Sequence, residues 1–307
     1  MQKTARCLTK SDKSNVPLLF LFIDGVGVGL PDAGRNPLFA AGSKSLGYYQ
    51  GTKPEVPRAG KIILTDATLG VDGVPQSATG QTTLFTGVNA AAVLGRHLSG
   101  FPSPRLKMLL KDSIFSRARK HGLTVSFANA YRPEFFTEPT DRISATTCAF
   151  QEAEIPLRSF EDLRQGNALS HEFTRSFIRS KGYAFDLISP LEAASHLLKI
   201  FRQCDLLLYE FFMTDVVGHT QSMPDALQLL EKLETFLMAV IEGVDPASES
   251  LLITSDHGNF EDLSSRSHTL NPVGTQVWGP AGKFFGAEDL DLTGIAPRML
   301  QSLGVEE

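Results

Sequence analysis

The chain has little cysteine: three residues in 307, Cys7, Cys148 and Cys204, far apart and in no CxxC pairing. A scattered, odd-numbered set excludes a disulfide framework and a cysteine-ligated metal site, and it points to a reducing, cytoplasmic compartment. There is no basic tract either. The formal net charge of −5 is spread along the sequence, which argues against nucleic acid as the main partner, because that affinity needs clustered Lys and Arg. Long apolar runs are missing. The longest, Val16 to Ile23, has eight residues and is closed by Asp24, whereas a membrane span needs about 20. A basic leader precedes it, but the run is short, ends in Asp and lacks a small-residue cleavage site, so a signal peptide is not expected. Internal repeats and low-complexity segments are absent. The glycines of Gly25-Val-Gly-Val-Gly29 do not make a GxGxxG fingerprint, which excludes a nicotinamide cofactor. No GxSxG elbow or legible Ser-His-Asp set appears, so a metal-free hydrolase is disfavoured.

What remains is the composition of a soluble globular protein, 42% apolar and 21% charged, with a repeated strand–helix grammar. Residues 1–15 read as a polar arm. Val16 to Ile23 (VPLLFLFI) is apolar on both faces, as a strand inside a covered parallel sheet should be. Ile62 to Thr65, Leu123 to Asn129, Asp205 to Phe211 and Leu251 to Ser255 read as further strands. Arg105 to His121, Pro224 to Glu242 with Ser222 as its cap, and Thr293 to Leu303 read as helices. The alternation predicts a three-layer αβα sandwich with a mostly parallel sheet. Residues 16–90 and 200–307 form its core, and 91–199 mixes core elements with a small cap. Three of the strands end at or near an aspartate, and in open α/β sheets the carboxyl edge is where ligands bind.

That edge is where the chemistry-bearing residues collect. Asp215-Val-Val-Gly-His219, Ser255-Asp256-His257-Gly258-Asn259 and His268-Thr-Leu-Asn-Pro272 offer five Asp and His ligands from three short segments. Asp24, after the first strand, offers a sixth. Asp215 and His219 are four apart, the spacing that puts two ligands on one helix face. Asp and His donors without cysteine suit a catalytic divalent site rather than a structural zinc site. A hydroxyl nucleophile is expected on a sharp turn beside such a site. The best segment, Pro75 to Gly87, holds one Ser and four Thr, and it leads into an Ala-rich helical stretch. A hydroxyl at a helix N-terminus is favoured when it ionises.

Taken in order, Asp24 after the first strand, a Thr in a Gly-Gln-Thr turn, DxxxH, DHGN and HTLNPV resemble the alkaline phosphatase superfamily. The closest likeness is to the metalloenzyme branch that holds cofactor-independent phosphoglycerate mutase and phosphopentomutase. The likeness covers about residues 16–90 and 200–305. It implies an alkaline phosphatase-like fold, two divalent metal ions (zinc or manganese) and a small phosphorylated substrate. Asp215, His219 and His268 would hold one ion. Asp24, Asp256, His257 and the Thr82 hydroxyl would hold the other, with Thr82 as nucleophile because it follows Gly80-Gln81. Thr79, Thr83 and Ser77 are the other candidates. The mutase's glutamate-glycine-histidine run after the nucleophile is missing, since Thr83-Leu-Phe-Thr-Gly87 stands there. The sulfatase Cys/Ser-x-Pro-x-Arg motif is absent, which excludes sulfate esters. The resemblance implies phosphoryl transfer through a phosphothreonine, with a phosphatase or phosphodiesterase ahead of a phosphomutase because the cap is small. A non-catalytic, phosphate-ligand-binding member is the remaining alternative. Arg96, His97, Arg105 and Arg132 are the candidate substrate-binding cations.

Overall fold

The computed structural model describes residues 16–138, 140–286 and 290–305. The expected arm at 1–15, and Cys7 within it, lie outside the described residues. The apolar run at Val16 folds as strand β1, Leu18–Ile23, with all six side chains buried. Leu18, Phe20 and Phe22 enter one core, and Leu19, Leu21 and Ile23 enter another on the opposite face. A strand buried on both faces needs helices on both sides, and the sheet has them.

Among the described residues, seven strands form this sheet in the order β3-β6-β1-β7-β8-β2-β9. β6 (Leu206–Phe211) and β7 (Ser250–Thr254) flank β1 in parallel. β3 (Val125–Phe127) pairs in parallel with β6. On the other side β8 (Val273–Trp278) runs antiparallel to β7 and to β2 (Lys61–Asp66), and β9 (Leu290–Asp291) runs parallel to β2. The helices Ser77–Thr86, Ile114–Lys120, Ala145–Glu152 and Ile295–Ser302 cover one face, where Phe85, Phe115 and Phe150 pack in a row. Pro190–Phe201 and Met223–Gly243 cover the other. Ser222 caps the latter helix as expected, its side chain accepting from the Asp225 N–H. The chain is therefore the three-layer α/β sandwich that the alternation predicts. Cys148 lies in one core and Cys204 in the other, so the sheet separates them.

Two of the expected helices and strands differ in extent. The helix expected over 105–121 is two helices, Pro104–Leu110 and Ile114–Lys120. Ser113 breaks it, because its hydroxyl caps the second helix by accepting from the Ser116 N–H. The strand expected over 123–129 leaves the main sheet after Phe127. β4 (Ala130–Tyr131) instead pairs in parallel with β5 (Arg158–Ser159) as a separate two-stranded sheet. Phe160, Leu163, Ala168, Ile178 and Phe185 form a small apolar cluster beside it.

The topology sets the site. β6, β1 and β7 are neighbours and parallel, so their carboxyl ends lie side by side. β8 is antiparallel to β7, so the chain that enters it starts at the same edge. Asp24, Asp215, Asp256 with His257, and His268 are thus delivered to one place by four adjacent strands.

Candidate metal centre

Each ligand candidate is held by its own local structure. Asp24 follows β1, and its carbonyl accepts from the Thr214 hydroxyl on the segment after β6. Gly25 takes φ +71° there, and a Cβ on it would lie 2.8 Å from the Cβ of Asp215, so both the turn and the close approach require glycine. Asp215 lies in the first turn of the helix Met213–Gly218, and His219, the residue that caps its C-terminus, follows one turn later. Asn259 donates from Nδ2 to Asp215 Oδ1 at 2.7 Å. Ser255 ties the β7 end to the β1 end by accepting from the Val26 N–H and donating to the His257 carbonyl, both at 2.9 Å.

The donor atoms converge in two groups. His219 Nε2 is 3.3 Å from Asp215 Oδ2 and 3.3 Å from His268 Nε2, which is 3.4 Å from Asp215 Oδ1. His219 Nδ1 lies 2.7 Å from the Arg266 carbonyl and His268 Nδ1 lies 2.8 Å from the Pro75 carbonyl. A carbonyl only accepts, so both Nδ1 atoms carry a proton, and both Nε2 atoms are the ring nitrogens turned toward Asp215. Two ring nitrogens and a carboxylate converging on one point make a donor set that fits a cation. Separations of 3.3–3.4 Å are about the edges of a tetrahedron around an ion bound at roughly 2.0–2.1 Å. In the second group His257 Nε2 lies 3.4 Å from Asp24 Oδ1 and 3.6 Å from Asp256 Oδ2. Asp24 Oδ1 and both carboxylate oxygens of Asp256 are buried without a hydrogen-bond partner. Orphaned buried carboxylate oxygens are costly unless paired or metal-bound, so this donor set also fits a cation. Asp24, Asp215 and His257 offer atoms within 4.8 Å of one another, so the two groups adjoin.

The electrostatics agree. Burial, then the negative charges of Asp256 and Asp215, push the Asp24 carboxyl well above the usual range. Glu210, on β6 below the site, is pushed up to about 7 by burial, with Asp256 adding to it. Burial works against Asp215 too. The hydrogen bond from His268, the charge of His257 and the Asn259 amide nevertheless hold it at about 2. Burial lowers His257.

Glu261, which the motifs do not single out, joins the loops. Its Oε2 accepts from the Gly27 and Asn259 N–H groups at 2.8 Å each. Its Oε1 accepts from the Thr269 hydroxyl and from Asn271 Nδ2. One buried carboxylate thus binds the segments after β1, after β7 and before β8.

The hydroxyl segment corrects the sequence reading. Pro75 to Gly87 is not a turn, since Ser77–Thr86 is a helix with Gln76 as its extended cap. Thr82 sits inside that helix, fully buried, and its hydroxyl donates to the Ala78 carbonyl at 2.6 Å. Thr79 and Thr83 are also buried and bonded to the carbonyls of Gln76 and Thr79. Ser77 is the first residue of the helix, and its Oγ lies 3.0 Å from His257 Nε2. One helical turn on, Gln81 Nε2 reaches to 3.5 Å from Asp24 Oδ2. Residues 77 and 81 share a helix face, and Thr82 is turned about 100° from Gln81. Gly80 lies against Asp256, where a Cβ would come 2.9 Å from the Asp256 carbonyl oxygen.

A cavity of about 810 Å³ opens onto Asp24, Ser77, Gln81 and Asp215. Of the four candidate cations, Arg132 lines it, and Arg142 and Lys181, which sequence reasoning missed, line it too. His97 instead bonds to the Val71 carbonyl, and Arg96 and Arg105 are exposed away from the cavity.

The profile of the Metalloenzyme superfamily matches residues 17–307. The chain is 34% identical over 104 residues to 2,3-bisphosphoglycerate-independent phosphoglycerate mutase of Rhodopseudomonas palustris, covering 32% of this chain and 20% of the relative. It therefore spans about a fifth of the length of that curated relative. The fold resembles Thermus thermophilus alkaline phosphatase, with TM-score 0.60 and 12% identity over 97% of this chain and 93% of that one. It also resembles alkaline phosphatase from the Antarctic bacterium TAB5, with TM-score 0.53 and 12% identity over 95% and 100%.

Proposed function

This chain belongs to the Metalloenzyme superfamily, and on that premise we propose that it is a two-metal phosphoryl-transfer enzyme. It acts as a phosphatase or phosphodiesterase on a small phosphorylated molecule, with Ser77 as the nucleophile. The observation that carries this reading is the Ser77 hydroxyl at a helix N-terminus, 3.0 Å from His257 Nε2 and beside the orphaned oxygens of Asp24 and Asp256. Asp215, His219 and His268 would hold one ion, and Asp24, Asp256, His257 and Ser77 Oγ the other. Bound zinc or manganese would lower the pKa of the Ser77 hydroxyl and neutralise charge on the transferring group.

The chain's own residues supply the rest. The first-turn N–H groups of the Ser77–Thr86 helix favour phosphoryl oxygens and the ionised hydroxyl. Ser77 attacks phosphorus, the ester oxygen leaves toward the cavity, and a phosphoserine takes the place of the phosphothreonine expected from sequence. His219 is 43% exposed, so the site stays open to solvent on that side, which supports hydrolysis of the phosphoserine. A phosphomutase is the second reading. It is favoured by the mutase relatives and disfavoured by the small cap and the open site. Labelled water separates the two: a hydrolase places solvent oxygen in the released phosphate, and a mutase leaves it out. An intact metal-loaded protein that turns over no phosphoester would overturn both. Among the described residues no helix is long and apolar enough to cross a membrane, and the two buried cysteines support a cytoplasmic protein.

A further inference from the structure

The cavity beside Ser77 is walled largely by aromatic rings. Tyr131, Phe135, His171, Phe177, Tyr183 and Phe212 line it, drawn from β4, from the helices Pro133–Thr137 and Ser176–Ser180 with the chain beside them, and from the turn that carries Asp215. Phe212 lies three residues before Asp215. His171 stacks on it at 4.5 Å and 11°, and Phe177 meets His171 edge-on at 4.6 Å. This makes a continuous aromatic wall leading from the cap to the metal ligands. Burial lowers His171 to about 4, so its ring is neutral at physiological pH.

The hydroxyls in this wall are already engaged. Tyr131 is bonded to Thr147, and Tyr183 donates to Glu134, each at 2.7 Å. What the wall presents to a ligand is therefore aromatic ring surface, which matches a planar ring far better than a polyol or a glycerate. The size agrees, because pockets of about 300–1,000 Å³ take drug-sized ligands, and a three-carbon acid would leave most of about 810 Å³ to water. Arg132, Arg142 and Lys181 also line the cavity, where cations draw in a dianionic phosphate ester.

We infer that the substrate is a phosphate ester whose alcohol carries a planar aromatic ring, a nucleotide being the simplest compound of that class. The ester phosphorus sits at Ser77 and the ring lies against the Phe177–His171–Phe212 wall. This rests on the phosphoryl-transfer reading for the position of the phosphate, but the ring's place depends only on the wall.

The test compares adenosine 5′-monophosphate with ribose 5-phosphate on the metal-loaded enzyme. Both are esters of a primary alcohol on a ribose, and they differ by the ring. The inference predicts at least about a tenfold higher kcat/KM for the nucleotide, in line with one base stacked on an aromatic wall. Phe177→Ala should shrink that advantage several-fold, mainly through KM. Equal values for the two esters in the wild-type enzyme, or a preference for ribose 5-phosphate, would overturn it. If neither ester is turned over, the phosphomonoesterase form of the phosphoryl-transfer reading has failed, and the wall is judged by binding. In metal-loaded Ser77→Ala protein, calorimetry should show adenosine 5′-monophosphate binding at least about tenfold more tightly than ribose 5-phosphate. Equal affinity there would refute the inference on its own.

Discussion

Ser77 and Thr82 are five residues apart, and the helix between them decides which one faces the metal ligands. The Ser77 hydroxyl is in the site and that of Thr82 is bonded into the helix. Ser77→Ala should cut kcat by about 10³-fold or more, as loss of a nucleophile does, with little change in stability. Thr82→Ala should show the reverse pattern: near-normal kcat under matched metal loading and a loss of about 1–2 kcal/mol on denaturant unfolding. Glu210 gives a pH prediction. Its folded pKa, about 7, is raised by burial above the ordinary 4.5. The folded state of the metal-free protein therefore binds the proton more tightly than the unfolded state. Glu210's contribution is fully present below about pH 4.5 and is lost as pH rises toward 7, on the order of 3 kcal/mol. Glu210→Gln should flatten the fall in stability of metal-free protein between pH 5 and 7. A fall of the same size in the variant would refute the assignment.

The strand ends, more than any single side chain, make the site, and Glu261 is what keeps those ends together. Its carboxylate accepts from donors on three loops. Glu261→Ala leaves those buried donors unsatisfied and should cost about 2–4 kcal/mol. Because it positions ligand loops without touching the ions, it should also weaken metal affinity by about 10–100-fold. Metal titration of the folded variant separates that effect from instability. Much at this level was legible in the sequence. The run at 16–23 is apolar on both faces, those at 205–211 and 251–255 are largely apolar, and the three end beside Asp24, Asp215 and Asp256, so strand type and ligand edge followed together. The Ser77–Thr86 helix was not legible. Almost every residue in it is buried, so it has no amphipathic period, and its Ser, Thr and Gly content resembles a loop. The break at Ser113 was hidden for a similar reason, since apolar spacing continues across it.

Across the whole molecule, the acids gathered at one edge make the metal-free protein a strained state. Asp24 is driven toward its neutral form by burial and by its acidic neighbours, so binding divalent ions also stabilises the fold. At metal concentrations 100-fold above the dissociation constant each site adds about 2.7 kcal/mol. Chelation should lower the melting temperature by several degrees, reversed by zinc or manganese, and a Tm indifferent to chelator would contradict the two-site reading. The cavity, unlike the ligand edge, could not be read in advance. Its wall joins residues near 131, 171–183 and 212, and nothing in their spacing says they meet.

The most direct measurement is to quench the metal-loaded enzyme in acid during turnover and locate the phosphoryl group by fragment mass spectrometry. Phosphoserine at Ser77 is the expected result. Phosphate on Thr82, or an active enzyme that never carries a covalent phosphate, would contradict it.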